Sequence, residues 1–310
     1  MDRRLRSHCL PYCSALSALT FLACIPGGTT TGASTSDSST TGVEVDRGPA
    51  ELTPDGDANG LWWDDTELAL YVADDNNNRI LRWRDGDGFS VVATLPMVDP
   101  SGAGLGQLVR LADGTLVVSR FGGGTVGGIV LVAPGGSTSE IPALDPERRR
   151  IGLAVGPDAR LFEAWYLRIG MERIGGVSEV AIAGGEVDLV DGLGKPIGVL
   201  VVDDALVISD GDLGQILRAP LDDPDAIEVI ASAADVDLLT LGPSGSLFTG
   251  VTGGQLLQVS AGGTTSIFQS GFDEVRGVAY DGAHRRLFVA DHDQDESDGV
   301  HHVLHIFPVD

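Results

Sequence analysis

The segment Asp291-His292-Asp293-Gln294-Asp295-Glu296-Ser297-Asp298-Gly299 places carboxylates at alternate positions 291, 293 and 295. Oxygen donors so spaced are of the kind calcium takes in loop sites, yet Gly299 arrives too late for an EF-hand-like turn, and most acidic loops are simply solvated. Asp291, Asp293 and Asp295 are thus candidate calcium ligands, weighed against a solvated loop as the stronger reading. Aspartate also recurs after similar apolar runs at Asp74, Asp210 and Asp291. At a repeated position, a carboxylate that accepts backbone N–H bonds in a turn is the better explanation, and Asp210 is kept as a candidate ligand-binding group. Trp165, Tyr166, Arg168, Met171, Glu172 and Arg173 form the one loop that mixes aromatic and basic side chains. Such types suit an anchor for an organic or peptide ligand, and equally a plug tucked over a channel. No Ser/His/Asp grouping, phosphate-cradling glycine loop or paired-carboxylate motif is identifiable.

Charge narrows the partners. The 310 residues carry 45 Asp and Glu against 20 Lys and Arg, a formal charge of -25, and Lys195 is the only lysine. Phosphate neutralisation needs clustered cations, so nucleic acid is excluded as a partner. The 43% of hydrophobic residues suffices for a real core, and 43 glycines, about twice ordinary usage, ask for many tight turns.

The first fifty residues read as a leader and a tether. Arg3, Arg4 and Arg6 precede a short apolar run, Ala15 to Ala23, with the layout of a secretory signal and too short to span a bilayer. Phe21-Leu22-Ala23-Cys24 resembles the lipobox of bacterial lipoproteins, in which the cysteine is lipidated and becomes the first mature residue. Phe21 is an unusual occupant of its position, which leaves simple secretion as the alternative. All three cysteines (Cys9, Cys13, Cys24) fall here, so a disulfide within the mature domain is excluded. Residues 24–48, the lipidated Cys24 and a stretch rich in Gly, Ser and Thr, read as a flexible tether. The expected location is the cell envelope, at the outer membrane or its periplasmic face, with the membrane touched only through the lipid.

Residues 49–310 must position whatever chemistry there is. Six apolar runs recur, beginning at Leu70, Leu116, Leu161, Leu206, Leu247 and Leu287, each preceded by one apolar segment and followed by another. Short β-branched segments between Gly, Asp and Pro turns are strands, and three or four of them per 40 to 46 residues is the arithmetic of a β-propeller blade. The second strand of each repeat is apolar on nearly every residue, as when both its faces are covered. The expected fold is all-β, a six-bladed propeller. Its sixth repeat is one strand short, so Val43 to Leu52 is expected to pair with Val303 to Phe307 and close the ring.

The residues Asn59-Gly60-Leu61-Trp62-Trp63-Asp64 and Leu70-Tyr71-Val72-Ala73-Asp74-Asp75-Asn76-Asn77-Asn78-Arg79-Ile80 resemble the six-bladed propellers of the SMP-30/gluconolactonase superfamily and its NHL-repeat and strictosidine-synthase-like relatives. Antiparallel order gathers the heads of the first strands, Asn59, Gln107, Ile151, Ile197, Asp237 and Arg276, around one mouth of the axis. Around them come loop starts that include Asp74, Arg120, Trp165, Asp210 and Asp291. Gln107, Arg120, Trp165, Tyr166, Asp210 and Arg276 are the candidate ligand-binding residues. Lactonases of this family hold an axial divalent ion through a Glu at the head of blade one and an Asn and an Asp at later heads. By that resemblance Asn59 stands where the Glu would be, Ile197 where the Asn is expected, and Asp237 matches the Asp. Asn59 and Asp237 are the axial metal candidates, for Ca2+ or another divalent cation, and Asp237 is the catalytic candidate. Only one anionic ligand survives, which puts metal and lactone hydrolysis in doubt. Apart from His8, the histidines are His284, His292, His301, His302 and His305, none at a strand head, so an axial zinc triad is not expected.

Two functions follow. One is an exported, membrane-anchored propeller, a monomer, that binds a small molecule, saccharide or peptide at its axial mouth. The other is a divergent metal-dependent lactone or ester hydrolase built around Asp237.

Overall fold

The computed structural model describes residues 50–98, 104–293 and 302–310. They form six four-stranded antiparallel sheets, each a blade. Blade one is representative: Ala58–Asp64, Ala69–Asp74, Arg79–Arg84 and Gly88–Thr94 run outward from the axis in chain order. The second strands of the other blades are Leu116–Arg120, Leu161–Ile169, Ala205–Asp210, Leu247–Val251 and Arg286–Asp291. Ala69–Asp74 and Ala205–Asp210 are buried at every residue. This is why they read as continuous apolar runs: a strand two places from the axis is covered on both faces by neighbouring sheets. The outermost strand Gly88–Thr94 buries only Ala93.

The hydrophobic core therefore lies between blades. Where the ring closes, Leu61, Trp63, Leu70, Val72, Leu81 and Trp83 of blade one meet Phe288, Ala290, Leu304 and Ile306 of blade six. Trp63 stacks on Phe288 at 5.5 Å between ring centroids. The guanidinium of Arg286 lies over the rings of Trp63, Trp83 and Phe288. It is fixed there by Asp281 at 2.8 Å and Asp85 at 2.6 Å, one acid from each of the two blades.

The ring is latched as expected. Glu51–Leu52 is the fourth strand of blade six, pairing Glu51 with His305 and Leu52 with Leu304 on strand Val303–Pro308. The Ile306 N–H adds a bond to the Ala50 carbonyl at 2.7 Å. Residues 43–49, together with the leader and tether, lie outside the described residues.

The first strands of blades one, two, three, four and six share one irregularity. In blade one the register slips between Ala58, opposite Asp74, and Leu61, opposite Val72. Equivalent slips occur in the other four. In blades one, three, four and six the bulge aims one residue at the axis and follows it with glycine: Asn59-Gly60, Ile151-Gly152, Ile197-Gly198 and Arg276-Gly277. The glycine is required by close approach: a Cβ on Gly60 would lie 2.3 Å from the Gly106 carbonyl oxygen of the next blade.

Candidate functional site

The bulged strand heads surround an axial funnel of about 230 Å³. Asn59, Leu105, Ile151, Ile197, Asp237 and Arg276 form its inner ring. Asp75, Lys195 and Glu274 add charges at the mouth, and Phe121 and Tyr166 form an aromatic wall with centroids 6.1 Å apart.

Asp237 is set by its backbone. Its N–H donates to the Gly250 carbonyl at 3.0 Å, and its own carbonyl accepts from Ser209 Oγ at 2.6 Å and Thr249 Oγ1 at 3.0 Å. The carboxylate receives one hydrogen bond, from the Leu238 N–H at 2.7 Å. Burial pushes it up to about 6, while that bond and the charges of Arg276 and Lys195 pull it back only in part. Arg276 donates to Glu274 at 3.0 Å. Burial works against its charge, yet Glu274, Asp237 and Asp57 outweigh that cost and hold it above the usual arginine range. Asp75 is raised by burial, with the Leu105 N–H bond at 2.6 Å opposing and the charge of Asp57 adding. The mouth thus holds a carboxyl group raised to about 6 in the company of two cations, Arg276 and Lys195. That arrangement can remove a proton from water and stabilise an oxyanion.

Asn59, Asp237 and Arg276 occupy the funnel as the sequence placed them, and Tyr166 is in its wall. Four other expectations are corrected. Gln107 faces a separate cavity at the far end of the axis, beside Leu61 and Leu153, and its Oε1 accepts the Leu108 N–H. In blade two Leu105 lies opposite Arg120 and Leu108 opposite Val118, so Gly106 takes the position of Asn59 and Gln107 that of Gly60. Arg120 is fully buried behind the funnel, bonded to Glu140 at 2.7 Å and to the Pro96 carbonyl at 2.7 Å. Trp165 lies between Arg148, 3.6 Å above its ring, and Ser178, which accepts its indole N–H at 2.6 Å. Its segment is no loop: Leu161–Ile169 and Glu172–Val180 pair along their full lengths as one long hairpin. Asp210 is buried and accepts the N–H groups of Gly194, Lys195, Asp212 and Leu213, so it is a turn staple. Asp74 and Asp291 do the same for their blades, with Asp57 and Asn77, and with Asp273 and Glu274.

Asp291 is thereby committed away from a calcium loop, its other oxygen lying 3.4 Å from His305 Nε2. Asp293 is buried and its N–H donates to His302 Nδ1 at 3.1 Å. Asp295 lies outside the described residues, as does Cys24. An axial divalent ion does not fit the inner ring. Of its six side chains only Asn59 and Asp237 offer oxygen, three are aliphatic, and the sixth is a guanidinium. Asn59 also turns its amide Nδ2 onto the Leu105 carbonyl at 2.6 Å.

Sequence reasoning missed Asp75, Lys195, Glu274 and Phe121. Lys195 carried a signal, being the sole lysine of an acidic chain and two residues before a strand head. Asp75 and Phe121 each follow the last residue of a second strand, a repeat position where only the preceding residue was considered.

No family model matches the chain, and no curated protein matches it. Solved structures do. A calcium-binding regucalcin from Agrobacterium tumefaciens is similar with TM-score 0.69 at 16% identity, covering 84% of this chain and 94% of that one. A gluconolactonase from Xanthomonas campestris is similar with TM-score 0.64 at 16% identity, covering 83% and 88%. A virginiamycin B lyase from Staphylococcus aureus follows the same path with TM-score 0.57 at 16% identity, covering 84% and 87%. The chain has the six-bladed propeller fold of the SMP-30, regucalcin and gluconolactonase type.

Proposed function

We propose that the axial funnel is the active site of a hydrolase that opens a small cyclic ester, with Asp237 as general base and without an axial metal ion. The observation that carries this reading is the Asp237 carboxyl, raised to about 6, in a funnel that Arg276 and Lys195 also line. The fold likeness to a gluconolactonase lends support. In the reaction Asp237 takes a proton from water as the water oxygen bonds to the lactone carbonyl carbon. Arg276 and Lys195 hold the tetrahedral oxyanion. The ring C–O bond then breaks and Asp237 returns the proton to the departing alkoxide, giving one hydroxy acid per lactone and water consumed. Asn59, fixed by its bond to Leu105, presents its amide oxygen to a substrate hydroxyl. Purified protein incubated with five- and six-membered sugar lactones should show turnover that Asp237→Asn lowers by about 10²–10⁴-fold. Turnover unchanged in that variant would remove Asp237 from the chemistry.

A second reading, ligand binding alone, is favoured by Ile151, Ile197 and the Phe121–Tyr166 wall, which supply apolar contact without chemistry. Saturable lactone or saccharide binding by both wild type and Asp237→Asn, with turnover by neither, would select it.

We further propose that the propeller is exported and held at the cell envelope by lipid on Cys24, through the tether of residues 24–48, as a monomer. The arginine-flanked leader and the Phe21-Leu22-Ala23-Cys24 sequence support this. Cys24→Ser should move the protein from the membrane fraction to the soluble fraction.

A further inference from the structure

Off the axis, at the rim where blade six meets blade one, Asp57, His292 and His302 converge. One ligand atom from each lies within 4.8 Å of the other two, the only such group among the described residues. His292 Nδ1 is 2.9 Å from Asp57 Oδ1, and His302 Nδ1 is 3.4 Å from the same oxygen. The two imidazoles stack at 4.9 Å with planes 20° apart. Ligands about 2.0–2.1 Å from one tetrahedral ion stand roughly 3.3 Å from each other, so these separations need little adjustment.

The backbone holds the group in place. The Asp57 N–H donates to Asp74 Oδ1 at 3.0 Å and its carbonyl accepts from the Asp75 N–H at 2.8 Å. The His292 N–H donates to the Glu274 carbonyl at 2.8 Å. Asp57 is 3% exposed.

His302 Nδ1 accepts the Asp293 N–H at 3.1 Å, which sets the ring with that nitrogen 3.4 Å from the Asp57 carboxylate. A metal ion would take that lone pair in place of the amide. A cleft of about 520 Å³, lined by Thr53, Gly56, Asn76 and His302, leads from solvent to Asp57.

We propose that Asp57, His292 and His302 bind a first-row divalent transition metal, for which zinc is the probe, and that the ion staples the closure of the ring. Two imidazoles and one carboxylate suit zinc and its neighbours, whereas calcium and magnesium take oxygen donors. The three ligands come from the segments entering blade one, leaving strand Arg286–Asp291 and entering strand Val303–Pro308. The last of these carries the N-terminal latch.

The test titrates zinc chloride into chelator-treated full chain by calorimetry and repeats it in excess calcium. The expected result is one zinc per chain, not displaced by calcium, with a zinc-dependent rise in melting temperature. His292→Gln and His302→Gln should each weaken binding by about 10-fold or more and abolish the rise in melting temperature. Circular dichroism checks that both variants fold. If either misfolds, cobalt loaded into wild type should give the visible bands of a tetrahedral nitrogen-and-oxygen site. Asp237→Asn must leave the binding unchanged, which separates this site from the axial one whatever the outcome for lactone turnover. Absence of stoichiometric binding, equal affinity in folded His292→Gln, displacement by calcium, or loss of binding in Asp237→Asn would each overturn the proposal.

Discussion

At the scale of single residues, Asp237 carries a cost that its chemistry explains. Below pH 3.8 its carboxyl is protonated whether the chain is folded or not. Between 3.8 and about 6 the unfolded chain gives up the proton while the folded one keeps it, so stability falls as pH rises through that window and stays reduced above it. Asp237→Asn removes the penalty, and chemical denaturation at pH 7.5 should find the variant more stable than wild type by roughly 1–3 kcal/mol. A stabilising substitution that abolishes turnover is the pattern expected of a functional group held at the expense of the fold. Arg150 shows the opposite case. It is fully buried against Glu163 at 3.3 Å and Glu186 at 2.9 Å, and burial holds Glu163 well above the usual carboxylate range. Arg150→Ala leaves the buried Glu163 without its guanidinium and Glu186 with Arg148 alone, at 3.6 Å, and unfolding should show a loss of about 3–5 kcal/mol. Thermal melts of the variant within a few tenths of a degree of wild type would contradict this.

At the scale of elements, the latch is the part whose stability depends on histidine. His305, on strand Val303–Pro308, lies 3.4 Å from Asp291 and 3.4 Å from Glu51 of the latch strand. The bond to Asp291 raises its pKa, burial opposes, and the charges of Asp291 and Glu51 add to the rise. A raised histidine contributes stability that is fully present below its ordinary value of about 6.5 and is lost as pH rises through the higher folded value. Hydrogen exchange at Leu52 and Ile306 should therefore quicken on passing from pH 6 to pH 8, beyond the intrinsic rise, and His305→Gln should remove that excess. The strands themselves were legible because a blade imposes a rhythm: turns rich in Gly and Asp, then a run buried on both faces. The latch was legible because one blade counted a strand short. The long hairpin was not, since Trp165 and Arg148 fill an inter-blade gap with types that also anchor ligands. Gln107 was misplaced because blade two departs from the rhythm: its bulge puts Gly106 where the other blades carry the axial side chain and Gln107 where they carry glycine. Of the site, Asn59, Asp237 and Arg276 were readable from strand heads. Asp75, Lys195 and Glu274 reach the mouth from connecting segments, whose paths depend on packing between blades.

At the scale of the whole molecule, the ring concentrates few cations in one place. The chain is strongly acidic, yet Arg276 and its only lysine share the axial mouth with Asp237. Asp75 and Glu274 share that mouth, so its charges are mixed rather than net positive, and burial among them raises the Asp237 carboxyl into the range useful for proton transfer. The fold alone leaves the chemistry open, since similar rings include a regucalcin, a gluconolactonase and a lyase. The pH dependence of kcat/KM for sugar-lactone opening tests the central claim most directly. A rate that climbs with an apparent pKa of about 6, in a limb absent from Asp237→Asn, is the predicted result. No lactone turnover by the folded protein, or a limb that survives in the variant, would contradict it.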